Sequence, residues 1–252
     1  METTKAQNCD KDTDGLKHRL PTLGLMVLLG AFLLCACAGT GASTPNQTTQ
    51  AEYFTAFDPV IFATRPHTEF IPGLTGFQQT TEYSCGPAAL LSTVLYYKAP
   101  GFKADAETEM RISSEVGTRD PATLKPGEKP GTTPPEITTW LEKNGFNAVE
   151  EYEKKGDNSA LEKIRANLRA GIPTIVEWID LAGHWVVVVG YDDRGTINPD
   201  DDILVLADPY DRYDDHPDGY NVVNAQRFYW MWFDARYFGK ETWRTMISVT
   251  RK

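Results

Sequence analysis

The chain of 252 residues carries 25 basic and 35 acidic side chains, a formal net charge of -10. That balance argues against nucleic-acid binding, which needs a basic surface to displace counterions from phosphates. A hydrophobic content of 41% beside 24% charged residues excludes a disordered chain and a multi-span membrane protein, and four cysteines are too few for a disulfide scaffold.

The first segment reads as an address. Residues 1–20 are polar and end in Lys17, His18 and Arg19, and Pro21 to Ala38 then runs without a charge. The run is shorter than a spanning helix needs and ends in small residues, as a secretory signal does, with the basic cluster as its cytoplasmic flank. Leu34-Cys35-Ala36-Cys37 resembles the lipobox of bacterial lipoproteins, which implies cleavage before Cys37 and lipid on its sulfur. The expected organisation is a signal peptide over 1–36, a flexible tether over 37–52 and a globular domain over 53–252. The expected setting is the bacterial cell envelope, with the domain tethered to a membrane. The leader's four acids (Glu2, Asp10, Asp12, Asp14) balance its four bases (Lys5, Lys11, Lys17, Arg19), so the domain keeps the whole negative charge. It also keeps one unlipidated thiol, Cys85, which in an oxidising compartment is either buried and inert or reactive.

Within the domain, Cys85 to Lys98 places Ala88, Leu91, Val94 and Leu95 at helical spacing, with Pro87 in the first turn. A Pro/Gly/Lys-rich loop covers 117–131. Thr133-Pro134-Pro135-Glu136 reads as a capping box opening a helix that closes at Gly145, and Ser159-Ala160-Leu161-Glu162 reads as a second one. Strands follow over 172–179, 184–191, 203–207 and 245–250, with the polar stretch Asp192 to Asp202 as an extended hairpin. Helices first and strands joined by short turns later give an α+β layout with an antiparallel sheet.

Three landmarks carry chemistry. A cysteine in the first turn of a helix meets the partial positive charge that favours thiolate. A histidine opening an apolar strand, His184, can be held rigidly beside it. Its second nitrogen needs an acceptor to fix the tautomer, and Asp208 is the leading choice, with Asp192 and Asp193 as rivals. The other domain histidines, His67 and His216, fall in loops. Cys85 would then be the nucleophile, His184 the base and acid, and Asp208 the orienting group.

The runs Cys85-Gly-Pro-Ala-Ala-Leu, Gly183-His-Trp-Val-Val-Val and Asp208-Pro-Tyr, in that order, resemble the papain-like cysteine peptidases. The specific likeness is to the bacteriocin double-glycine leader peptidases of the C39 type and their stand-alone relatives. The resemblance covers roughly Phe77 to Pro209. It implies a papain-like fold with the nucleophile's helix packed on an antiparallel sheet, a peptide or protein substrate, and no metal or organic cofactor. It also implies that Gln79, six residues before Cys85, helps to form the oxyanion hole. Ser84 stands where many members carry an acid, at a position without a chemical role.

Other features have plainer readings. The acidic stretch 208–218 could hold calcium, but its spacing fits no EF-hand and a charge run is usually a solvated loop. The aromatic cluster Phe228, Tyr229, Trp230, Trp232, Phe233, Tyr237 and Phe238 closes a core or walls a peptide site. Trp185, facing away from His184 by strand alternation, is expected to pack. The intact set Gln79, Cys85, His184 and Asp208 argues against a papain-like cleft that binds peptides without cutting them, whereas an amidase or transferase acting on cell-wall peptides would use the same chemistry.

Overall fold

The computed structural model describes residues 57–154, 159–212, 216–234, 237, 239 and 241–252. The expected signal peptide, the tether and Cys37 lie outside the described residues. Among those residues no helix is long and apolar enough to cross a membrane.

A short helix α1 (Pro59–Thr64) and strand β1 (Thr68–Phe70) precede the buried helix α2 (Cys85–Tyr96). Helices α3 (Ala106–Val116) and α4 (Pro134–Lys143) follow, then β2 (Phe146–Glu151), α5 (Ala160–Arg169) and β3 (Thr174–Trp178). The remainder is β4 (His184–Asp192), β5 (Ile203–Ala207), β6 (Tyr220–Asn224), α6 (Ala225–Met231), a small pair β7 (Phe233–Asp234) and β8 (Thr242–Trp243), and β9 (Met246–Arg251). The large sheet runs β2-β9-β3-β4-β5-β6, with β1 paired to β4 beyond the end of β3, and its pairings are antiparallel. This is the α+β layout expected, with the cysteine's helix packed on an antiparallel sheet.

β4 is the hub. All nine of its residues are buried, β3 flanks its first half, β1 its second, and β5 its other edge. Such a strand reads as a continuous apolar run, because neither face meets water. The stretch 192–202 joins β4 to β5 as a hairpin with Asp192 opposite Ile203, after a register shift between Val188 and Gly190. α2 is likewise buried beyond its expected stripe, from Gly86 through Val94, since it lies between β4 and the neighbouring helices α3 and α4. Ser92 and Thr93 return their hydroxyl protons to the carbonyls of Ala88 and Ala89, which makes their burial tolerable.

The Thr133 capping box forms in both halves, and Gly145 follows the helix at φ 89°. The one at Ser159 does not: Ser159 is itself αR, and Glu153 accepts the Ala160 N–H at 3.1 Å in its place. β3 begins at Thr174 rather than Ile172, because the Ile172 N–H still closes α5 by donating to the Asn167 carbonyl. α3 and β2 are not anticipated by apolar spacing. In α3 only Ile112 and Val116 supply buried aliphatic side chains, although Asp105 caps its start and Gly117, at φ 83°, ends it.

Candidate active site

Cys85 is the first residue of α2, where unpaired helical N–H groups concentrate partial positive charge. It is half-buried and is the free cysteine among the described residues. The following residue has to be glycine. A Cβ at Gly86 would stand 2.8 Å from Thr132 Oγ1 and 2.9 Å from its Cβ.

Ser84 does not cap α2; its hydroxyl donates to Glu109 of α3 at 2.6 Å. Glu109, fully buried, also accepts from the Thr80 N–H at 3.2 Å and from the Thr80 hydroxyl. One carboxylate therefore braces both ends of the Thr80–Ser84 loop that delivers the thiol. Glu109 could have been found only by first finding α3, through its Asp105 and Gly117 punctuation.

His184 opens β4, and its Nε2 lies 2.6 Å from Asp208 Oδ1, with both side chains buried. That bond leaves Nδ1 for Cys85, which also acts on the imidazole. Burial opposes a charged imidazole. The bonds and charges of Asp208 and Cys85 outweigh it and push the His184 pKa up to about 10. Burial likewise works against the Asp208 carboxylate, yet His184, the Tyr210 N–H and Asn221 hold its pKa below the usual range. Tyr210 N–H donates to Asp208 Oδ1 at 2.8 Å and Asn221 Nδ2 to Oδ2 at 3.1 Å. Asn221 reaches it because β6 pairs Asn221 with Leu206, two residues before Asp208. No sequence signal marks an asparagine in a strand for that task.

Asp192 and Asp193 lie at the far end of β4. Asp192 accepts the Arg194 N–H, while Asp193 pairs with Arg165 and faces the exposed His67. Of the three aspartates weighed, the structure brings Asp208 to His184. His216 is exposed.

Gln79 is buried, and its backbone N–H donates to the Pro209 carbonyl at 2.8 Å, tying its loop to the Asp208 turn. Gly76 permits that approach, since a Cβ there would sit 2.6 Å from the carbonyl oxygens of Asp208 and Gly219. The Gln79 side chain donates from Nε2 to the Thr81 carbonyl at 2.7 Å, and its Oε1 is buried without a hydrogen-bond partner. A primary amide has two N–H donors, so one is left.

A cavity of about 180 Å³ opens beside the thiol, walled by Cys85, Tyr83, Glu177, Gly183, Trp185 and Tyr237 among others. Trp185 is buried, as packing predicts, and donates from Nε1 to the Thr132 carbonyl, but it also forms this wall. The aromatic segment divides its labour. Phe228, Tyr229 and Trp232 enter the core, Tyr237 lines the cavity, and Phe238 lies outside the described residues. In the acidic stretch, Asp211 and Asp218 accept backbone N–H groups at Gly219 and Tyr220, and no metal-holding cluster exists among the described residues.

The model of the Peptidase_C39 like family matches residues 73–237. No curated protein matches the chain in sequence. Among solved structures, the peptidase domain of Streptococcus ComA, a bi-functional ABC transporter involved in quorum sensing, is similar at 19% identity. That match has a TM-score of 0.46 and covers 71% of this chain and 99% of that one. A double glycine motif protease from an AMS/PCAT transporter, in complex with the leader peptide, matches at 15% identity and TM-score 0.41, over 69% of this chain and 89% of that one. Xylellain, a cysteine protease from Xylella fastidiosa, matches at 13% and 0.37, over 80% and 92%.

Proposed function

Because this chain belongs to the Peptidase_C39 like family, we propose that it is a cysteine peptidase hydrolysing peptide bonds through Cys85, His184 and Asp208. The observation that carries the reading is a helix-start thiol that acts on a buried imidazole, itself bonded to a buried carboxylate. An imidazole that holds its proton strongly can take the one on the thiol, leaving a thiolate at a helix N-terminus.

Cys85 Sγ then attacks the peptide carbonyl carbon and the π electrons move to oxygen. The Cys85 backbone N–H and the remaining N–H of Gln79 are suited to receive that oxyanion. The His184 proton passes to the leaving amine as the C–N bond breaks. A water that gives its proton to His184 attacks the thioester, and the thiolate departs. Asp208, braced by Asn221 and Tyr210, keeps the ring oriented throughout.

The signal-like segment before Cys37 supports placing this activity outside the cytoplasm, on a lipid tether, acting on a secreted peptide or an envelope protein. The alkylation rate of Cys85 against pH tests the chemistry. Wild type is expected to react fast well below the ordinary thiol pKa of about 8.5, and His184→Ala to react slowly there. A thiol that titrates normally in both proteins would leave a peptide-binding module in place of an enzyme. Cys85-dependent cleavage of envelope proteins by the full chain, absent in Cys85→Ala, tests the setting.

A further inference from the structure

The wall of the cavity that holds the thiol also holds a group that the triad does not use. Glu177, in β3, is only 2% exposed, yet it lines the cavity that contains Cys85. Its Oε2 has no hydrogen-bond partner. A buried carboxyl oxygen left in that state is costly, and native proteins retain such groups mainly where function uses them.

The turn that separates Glu177 from His184 is built around it. Leu181 and Ala182 are held at φ 52° and 66°, where side chains are strained, and Gly183 stands at φ 114°. A Cβ at Gly183 would come within 3.2 Å of Glu177 Oε1, so a larger residue before the histidine would crowd the carboxyl. All three turn residues line the cavity with Glu177.

The charges are one-sided. Among the described residues two carboxylic acids, Glu82 and Glu177, line the cavity and no lysine or arginine does; the buried Asp234 also acts on Glu177. Two described cations act on the lining residue Tyr237: Lys129 lies over its ring at 5.7 Å, and Arg119 acts on it electrostatically. A volume of about 180 Å³ suits one side chain rather than a long stretch of peptide.

We propose that Glu177 is the specificity-determining residue of this cleft, and that its carboxylate receives a cationic group of the substrate beside the scissile bond. The ligand class is an alkylammonium or guanidinium, supplied by a lysine- or arginine-like side chain or by a free α-amino terminus. Burial, Asp234 and Cys85 push the Glu177 pKa up to about 8. An incoming cation favours the ionised form, and the low dielectric that penalises the lone charge strengthens the pair. The inference rests on Cys85 acting as the nucleophile, since it takes the cavity to be the substrate's.

The test uses the full chain and peptidyl acyloxymethyl ketones, which label the cysteine without turnover. Lysine, arginine and norleucine are placed in turn at each position before the ketone, with the N-terminus free or acetylated, and Cys85 labelling rates are measured by mass spectrometry. At one position, wild type is expected to favour the cation over norleucine by about tenfold or more, the size of one good charge-pair discrimination. Glu177→Gln, nearly isosteric, is expected to collapse that ratio. A ratio that appears only with a free N-terminus assigns the cation to the chain end. Labelling with no cation preference in wild type overturns the assignment even if the variant does not fold, and so does a preference that survives Glu177→Gln. Both outcomes leave the peptidase reading standing. No labelling of Cys85 by any probe overturns the peptidase reading, and this inference with it.

Discussion

At the Asp192 end of β4, Arg165 reaches Glu69 through Nε at 2.9 Å and Asp193 through Nη2 at 2.9 Å. It also stacks over the Tyr191 ring at 4.7 Å, and Arg169 completes the pairing of Glu69 at 2.7 Å. At the His184 end the polar groups are deeper and less complete. Gln79 Oε1, Glu177 Oε2 and Trp178 Nε1 are buried without partners within a few residues of the triad. One strand thus joins a region in which charges are matched to one in which some polar groups are left over. Satisfied ion pairs fix geometry, whereas unsatisfied groups around a nucleophile are what an incoming substrate can satisfy.

The largest effect should come from Cys85→Ser. If the His184 end is catalytic, peptide hydrolysis falls by roughly 10³-fold or more while thermal stability changes little, because only the nucleophile is lost. Activity that persists in this variant would falsify the assignment of the thiol.

Next is Asp208→Ala, which removes the partner of a buried imidazolium. Breaking such a pair typically costs about 3–5 kcal/mol. The His184 pKa is raised in the folded state, to about 10 from 6.5. The stabilisation is therefore complete below pH 6.5 and lost as pH rises toward 10, so the deficit of the variant should shrink along that path. Chemical unfolding at pH 6 and pH 10 checks both size and direction. An equal deficit at the two values would mean that Asp208 acts through its bonds to Tyr210 and Asn221 rather than through charge.

Much of this region was legible in the sequence, and the reason is local. Cys85, His184 and Asp208 each stand at the boundary of a strongly patterned element: the start of a helix, the start of an apolar strand and the residue after one. Asp208 over Asp192 and Asp193 was a matter of strand register, which sequence does not print. What could not be read were the supports that arrive from elsewhere in the chain. Glu109 comes from a weakly apolar helix, Asn221 from a short strand, and Glu177 from a strand position that looks like any polar interruption. The second capping box failed for a similar reason, since Glu153 from outside the helix took over at Ala160. Local rules place the proposed triad, and tertiary packing places the residues that hold it.

Glu177→Gln sharpens the comparison at the unsatisfied end. An unfolded glutamate ionises near 4.5, but in the fold Glu177 keeps its proton to about 8. Folding therefore takes up a proton between those values, and stability falls as pH rises through the window. Glutamine removes that decline. The ionisation penalty of the wild type vanishes below pH 4.5, and by pH 8 the variant should be more stable by on the order of 4 kcal/mol. Parallel stability curves for the two proteins would show that the carboxyl is better accommodated than its missing partner implies.

Arg165→Met probes the matched end and should give the smallest effect. The substitution retains an aliphatic stem against Tyr191 but removes the fork to Glu69 and Asp193. Arg169 still pairs with Glu69, and the side chains are not fully buried, at 19% exposure for Arg165 and 28% for Asp193. The cost should be about 1 kcal/mol, reduced by added salt because these charges lie near water. The alkylation profile of Cys85 should not move, since the hydrogen bonds that set it are all at the other end of the strand. A shifted profile would mean that β4 transmits the loss along its length, and the division between a structural end and a reactive end would have to be abandoned.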